Sequence, residues 1–196
     1  MRLKKLFALC VCAMLFTLSL AGCVTYHTPT ENYRTGLHHV EIVIKDYGTI
    51  AVELDGDTAP ITVTNFLQLA ESGYYDGTTF HRIISGFMMQ GGDGEPLGKT
   101  THTIIGEFSG NGHKNDISHV RGTISMARSD DMNSASSQFF ICHKDSTFLD
   151  TSYAGFGHVT SGIEIVDQIC ENIPQGDNGA VEKQDQPVIE TVRVID

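Results

Sequence analysis

Apolar and polar residues alternate from His39 to Lys45, placing Val40, Ile42 and Ile44 on one face. They alternate again from Thr49 to Leu54, with Ile50, Val52 and Leu54 together. A period of two marks half-buried strands. Asp46-Tyr47-Gly48 supplies a turn between the runs, so they read as a hairpin. Asp55-Gly56-Asp57-Thr58 breaks the alternation, and the period then changes. Val63, Phe66, Leu67 and Ala70 recur at helical spacing. Asp57 or Thr58 can cap this helix, Pro60 suits its first turn and Gly73 ends it. One apolar stripe on a helix must cover one face of something else.

The remainder is mostly short strands. After a turn at Tyr74 to Gly77, two strands bent at Ser85-Gly86 occupy Phe80 to Gln90. Thr101 to Ile105 leans towards strand. Strands are expected over Arg121–Ala127, Gln138–Cys142, Tyr153–Val159 and Val188–Ile195. Polar loops fill Gly91–Lys99, Gly106–His119, Arg128–Ser137 and His143–Ser152. Ile163, Val166, Ile169 and Cys170 mark a second helix. Many strands with two separated amphipathic helices favour an antiparallel barrel or sandwich whose open ends the helices cap.

The first 23 residues stand apart. Arg2, Lys4 and Lys5 form a basic start, and Leu6 to Leu20 is apolar but shorter than the about 20 residues of a membrane span. The run ends in Leu20-Ala21-Gly22-Cys23, which resembles the lipobox of bacterial lipoproteins. That resemblance implies a signal peptide over 1–22, lipid on Cys23 and a domain anchored to a bacterial membrane outside the cytoplasm. Residues 23–37 read as the lipidated cysteine and a flexible tether. Its length corresponds to about 20 Å of reach. The globular domain is expected over 38–196.

The net charge of −11 argues against nucleic acid, whose phosphates need clustered cations, and against a basic membrane-surface domain. Beyond Cys23 only Cys142 and Cys170 remain, expected as buried free thiols rather than a bridge or a zinc site. Gly94-Glu95-Pro96-Leu97-Gly98-Lys99-Thr100 ends like a phosphate loop, but its glycines are one residue too close and no helix pattern follows. Ser134, Ser136 and Ser137 lack a nucleophile elbow, and the histidines lack metal-ligand spacing. No cofactor or metal is expected.

One arginine is out of place. Arg82 sits among Phe80, Ile83, Ile84, Phe87, Met88 and Met89, with Gln90 closing the run. It is either a strong donor beside a greasy pocket or a side chain that snorkels out of a core strand. Arg82, Phe87, Met88, Gln90, Gln138, Phe140, Phe148 and Leu149 together hold no plausible nucleophile. Such a set binds an apolar ring and hydrogen-bonds a peptide. It suits a binding module or an enzyme that breaks no covalent bond.

Phe80-His81-Arg82-Ile83-Ile84-Ser85-Gly86-Phe87-Met88-Met89-Gln90-Gly91-Gly92-Asp93 resembles the signature of the cyclophilins, peptidyl-prolyl cis/trans isomerases. Gly122 to Ala127, Ser136 to Ile141, Phe148-Leu149-Asp150 and Phe156-Gly157 follow in the family's order. The resemblance runs from about His39 to Ile195. It implies a mainly β fold, a closed eight-stranded antiparallel barrel capped by two helices, acting as a monomer on proline-containing polypeptides. By position it implies Arg82 as the catalytic arginine. Phe87, Met88, Phe140 and Leu149 would hold the proline ring, with Gln90 and Gln138 in the groove. Ala127 and Arg128 fall at the groove edge. Ser85 replaces the usual proline, Arg128 a common asparagine, Phe148 a tryptophan and Tyr153 a histidine. Phe148 lacks the indole donor, so cyclosporin binding is expected to be weak. The activity implied is isomerisation of X-Pro bonds in exported proteins; the alternative is a prolyl-peptide binding or chaperone module.

Overall fold

The expected hairpin forms with its two apolar faces in register. In the computed structural model, which describes residues 32–196, β1 (Leu37–Ile44) pairs antiparallel with β2 (Gly48–Asp55), and Val40 lies opposite Val52 and Ile42 opposite Ile50. All six alternating apolar residues are buried. The signal segment, Cys23 and the tether up to residue 31 lie outside the described residues. The rest of the tether is not loose. The Arg34 backbone N–H donates to Thr64 Oγ1 at 2.8 Å, its guanidinium pairs with Glu71, and Gly36 donates to Asp57 Oδ1. The fixed chain thus begins a few residues before the expected His38.

Helix α1 (Pro60–Glu71) buries the predicted stripe, but its cap differs from expectation. Neither Asp57 nor Thr58 caps it. Asp55 holds both backbone N–H groups in a tight turn instead, and the cap position falls on Ala59. The open N–H groups of Ile61 and Thr62 donate to the buried carboxylate of Glu107, at 3.0 and 2.7 Å. A helix start needs such acceptors and favours negative charge. Here they come from a distant loop.

Six further strands follow: β3 (Phe80–Ile84), β4 (Met88–Gly91), β5 (Thr123–Met126), β6 (Phe139–Cys142), β7 (Gly155–Ser161) and β8 (Ile189–Val194). The order across the sheet is β3-β4-β6-β5-β7-β2-β1-β8, with antiparallel neighbours throughout. Thr101 to Ile105 forms no strand; Ile104 alone bridges to Ala135. The polar residues around it belong to a loop that Asn133 holds through Gly106 and Asn111.

The sheet curls round, but the expected closed barrel is joined only by a short seam. The edge strands meet at a Thr79–Val188 bridge, with Phe80 donating to the Pro187 carbonyl and Ile189 to that of Thr78. Beyond it, Ala180 bridges to Arg82 and Val181 donates to the His81 carbonyl. The segment carrying Ala180 therefore occupies the edge of β3 that a full ladder to β8 would use.

Inside, Phe66 of α1 meets Tyr75, Phe139 and Phe156 at ring distances of 5.0, 5.4 and 5.3 Å. Helix α2 (Ile163–Asn172) buries Ile165, Val166, Ile169 and Cys170. Cys142 and Cys170 are free and buried, and burial pushes each thiol up to about 12. No helix among the described residues is long and apolar enough to cross a membrane.

Candidate active site

Strand alternation places a second, smaller apolar cluster on the outside of the sheet. On β4, Met89 joins the core and Met88 faces out; on β6, Phe139 and Ile141 join the core while Phe140 and Cys142 face out. Met88, Phe140, Leu149 and Ala127 pack together there, with Phe87 and Tyr153 at the border. They line a cavity of about 190 Å³ with Arg82, Gln90 and Arg128 on its rim. Drug-sized ligands fill roughly 300–1,000 Å³. This cavity suits one ring.

Arg82 does not snorkel freely. Its Nε donates to the Asn178 carbonyl at 3.0 Å, Nη2 to Asn178 Oδ1 at 3.0 Å and Nη1 to Gln90 Oε1 at 3.3 Å. Among the described residues three of the guanidinium's five N–H groups are engaged, which leaves one on each Nη. Asn178 takes both roles because its backbone is left-handed, with φ 54° and ψ 25°. Short polar side chains tolerate that conformation. Gln90 Nε2 in turn donates to Gln138 Oε1 at 2.9 Å.

The pocket floor has its own support. The ring of Phe140 stacks on buried His119 at 5.9 Å and meets Tyr153 edge-on at 5.8 Å. His119 Nδ1 lies 2.8 Å from Asp150 Oδ1 and Nε2 2.9 Å from Ser125 Oγ. Burial lowers the His119 pKa despite Asp150, and bonds from Ser118 and His119 hold Asp150 below the usual carboxylate range against its own desolvation. Arg128 is clasped between Phe108 and Tyr153, its carbon 5.2 and 4.8 Å from their ring centres.

Ser85 has a structural account. Its backbone N–H donates to Gln175 Oε1 at 3.0 Å, a bond that proline could not make. The Gly86 N–H donates to His143 Nδ1 at 2.9 Å, and the two bonds hold the turn that carries Phe87.

Most of the residues singled out in the sequence converge, with two exceptions. Gln138 lines the neighbouring cavity and reaches Arg82 only through Gln90. Phe148 is 74% exposed and outside the pocket lining, its ring 5.6 Å from Phe87. It lies in a 3-10 turn, Thr147–Leu149, where adjacent side chains diverge, so Leu149 enters the pocket and Phe148 does not. Asn178 and His119 were missed. Asn178-Gly179 signals only a turn, and nothing in the sequence ties it to a residue 96 positions away. Among the described residues no group of three or more His, Cys, Asp or Glu converges on a possible metal site.

Residues 39–195 match the family model described as "Cyclophilin type peptidyl-prolyl cis-trans isomerase/CLD". The chain belongs to the cyclophilin family. Peptidyl-prolyl cis-trans isomerase B of Escherichia coli is 39% identical over 184 residues, covering 87% of this chain and 98% of that one. Peptidyl-prolyl cis-trans isomerase A of Dickeya dadantii is 44% identical over 131 residues, covering 63% and 67%. Among solved structures, a cyclophilin of Cryptosporidium parvum superposes with a TM-score of 0.71 at 30% identity, over 82% of this chain and 99% of that one. The same cyclophilin solved in the presence of the dipeptide Ala-Pro superposes at 0.69. The enzyme class is thereby that of the peptidyl-prolyl cis-trans isomerases.

Proposed function

We propose that this cyclophilin speeds rotation about X-Pro bonds by a non-covalent mechanism centred on Arg82. The observation that carries the reading is a clamped guanidinium, with two N–H groups that have no partner among the described residues, on the rim of a ring-sized apolar pocket. The amide before proline has partial double-bond character and turns over in tens of seconds or more. At the twisted transition state its nitrogen becomes pyramidal and regains a lone pair. A guanidinium N–H binds that lone pair and finds little to bind in the planar ground state, so it stabilises the transition state selectively. Bringing tens of seconds to milliseconds takes about four decades, or roughly 5–6 kcal/mol. One charge-assisted hydrogen bond supplies about 1.5–3 kcal/mol. The balance comes from holding the proline ring among Phe87, Met88, Phe140 and Leu149 while the groove grips the rotated carbonyl. The test is cis-to-trans isomerisation of a short X-Pro peptide by the full chain with Arg82→Ala beside it. Acceleration lost in the variant supports the reading. No acceleration from a folded chain that still binds the peptide turns it towards a binding module.

The cellular setting we infer is extracytoplasmic, with the chain lipid-anchored to a bacterial membrane and exported polypeptides as clients. Leu20-Ala21-Gly22-Cys23 after a basic, apolar start supports it. Cys23→Ser is expected to move the protein from the membrane fraction to the soluble one; a variant still sedimenting with membranes would count against a lipid on Cys23.

A further inference from the structure

Beside the proline pocket lies a second cavity of about 320 Å³, sharing Gln90, Ala127 and Arg128 with it and completed by Ser129, Ser134, Ser136 and Gln138. Among the described residues its lining contains no carboxylate and one permanent cation. The direction of its hydrogen bonds is set from Arg82. A guanidinium only donates, so Gln90 must turn Oε1 towards it. Gln90 Nε2 then donates to Gln138 Oε1, which leaves Gln138 Nε2 as a donor without a partner among the described residues. The acceptors of the relay are used on the Arg82 side, and a donor emerges at the second cavity.

Two other donors there are also open. Arg128 spends Nε on the Ser152 carbonyl and Nη1 on those of Ser129 and Asp130, while Nη2 has no partner among the described residues. Those bonds and the two flanking rings hold the guanidinium still, so little side-chain freedom remains to be lost when a ligand arrives. Ser136 Oγ likewise has no partner among the described residues. Ser134 Oγ, by contrast, is saturated by Ser129 and the Asp131 carbonyl.

We propose that this second cavity is an anion subsite that takes the carboxylate side chain of an Asp or Glu flanking the proline, bound by Arg128, Gln138 and Ser136. The inference rests on the isomerase reading for the placement of the proline but is read by binding, without turnover. It makes the enzyme selective for proline segments with acidic neighbours, although its own net charge of −11 disfavours acidic chains at long range.

The experiment uses the full chain and short X-Pro peptides carrying Glu, Gln or Lys at one position at a time on either side of the proline. Dissociation constants are measured at low and raised salt. At one position Glu is expected to bind about three- to tenfold more tightly than Gln, with Lys weakest. Raised salt narrows the ratio, and Arg128→Gln brings it close to one. Gln138→Ala, which keeps the cation, is expected to narrow it less, and it serves in place of Arg128→Gln should that variant not fold. Equal binding of Glu and Gln peptides at every position, or a Glu preference undiminished in these variants, overturns the subsite. Isomerisation rates of the Gln peptides report separately on the isomerase reading.

Discussion

Strands β4 and β6 carry two apolar surfaces built from alternate residues, and the two have opposite uses. Met89, Phe139 and Ile141 face inward into the main core, where Phe66 of α1 meets the ring of Phe139. Met88 and Phe140 face outward into a pocket that carries Arg82 and Arg128 on its rim. Burial fractions hardly separate Phe139 at 0% from Phe140 at 4%. The difference lies in what faces each ring. Inside, Phe139 meets the rings of Phe66, Tyr75 and Phe80, and the surface contributes to stability. Outside, the same kind of residue lines an open cavity of about 190 Å³.

The sharpest way to break that comparison is to truncate the paired rings. Phe139→Ala is expected to cost about 3–5 kcal/mol of stability, whereas Phe140→Ala costs at least about 1 kcal/mol less, because part of its surroundings is already open. Chemical denaturation gives the first number, and peptide affinity gives the second variant its larger loss. Equal destabilisation by both would mean that the outer cluster is simply more core. Next in size, Arg82→Ala should lower turnover roughly ten- to a hundredfold, with peptide binding within a few-fold and thermal stability nearly unchanged. Asn178→Gly suits the left-handed backbone and keeps the carbonyl that Arg82 Nε uses, but removes the Nη2 acceptor. It should reduce kcat about three- to tenfold with little change in KM; an unchanged kcat would show that Gln90 and the backbone hold Arg82 alone.

The smallest effect is in pH. Burial lowers the His119 pKa from 6.5 in the folded protein, so the unfolded chain takes the proton first as pH falls. The stability contributed by neutral His119 is present above about 6.5 and is lost as pH drops through its lower folded value. Melting temperature should therefore decline on going below neutral pH, and less steeply in His119→Gln. Because His119 stacks under Phe140, peptide affinity should decline over the same range. Parallel slopes in wild type and variant would assign the acid sensitivity to other groups.

Several features were legible in the chain because they depend on neighbours in sequence. Alternation in β1 and β2 and the stripe of α1 follow from strand and helix periods. The motifs from Phe80 to Asp93 and from Ser136 to Ile141 carried the family and most of the pocket. Features that join distant segments were not legible. Glu107 at the start of α1, Asn178 on Arg82 and His119 under Phe140 are contacts that no local pattern encodes. The direction of the 3-10 turn, which sends Leu149 in and Phe148 out, belongs with them. The closed barrel became a short seam because Ala180 takes the free edge of β3.

By itself the sequence determined the alternation of β1 and β2, the family and most of the pocket residues, since each depends on spacing along one strand or on a motif. Only the tertiary structure decided which polar groups are used up and which are left open to a ligand. Hydrogen-bond partners are shared out across the whole fold, and Arg82, Gln90 and Gln138 acquire their directions only when Asn178 arrives from the far end of the chain.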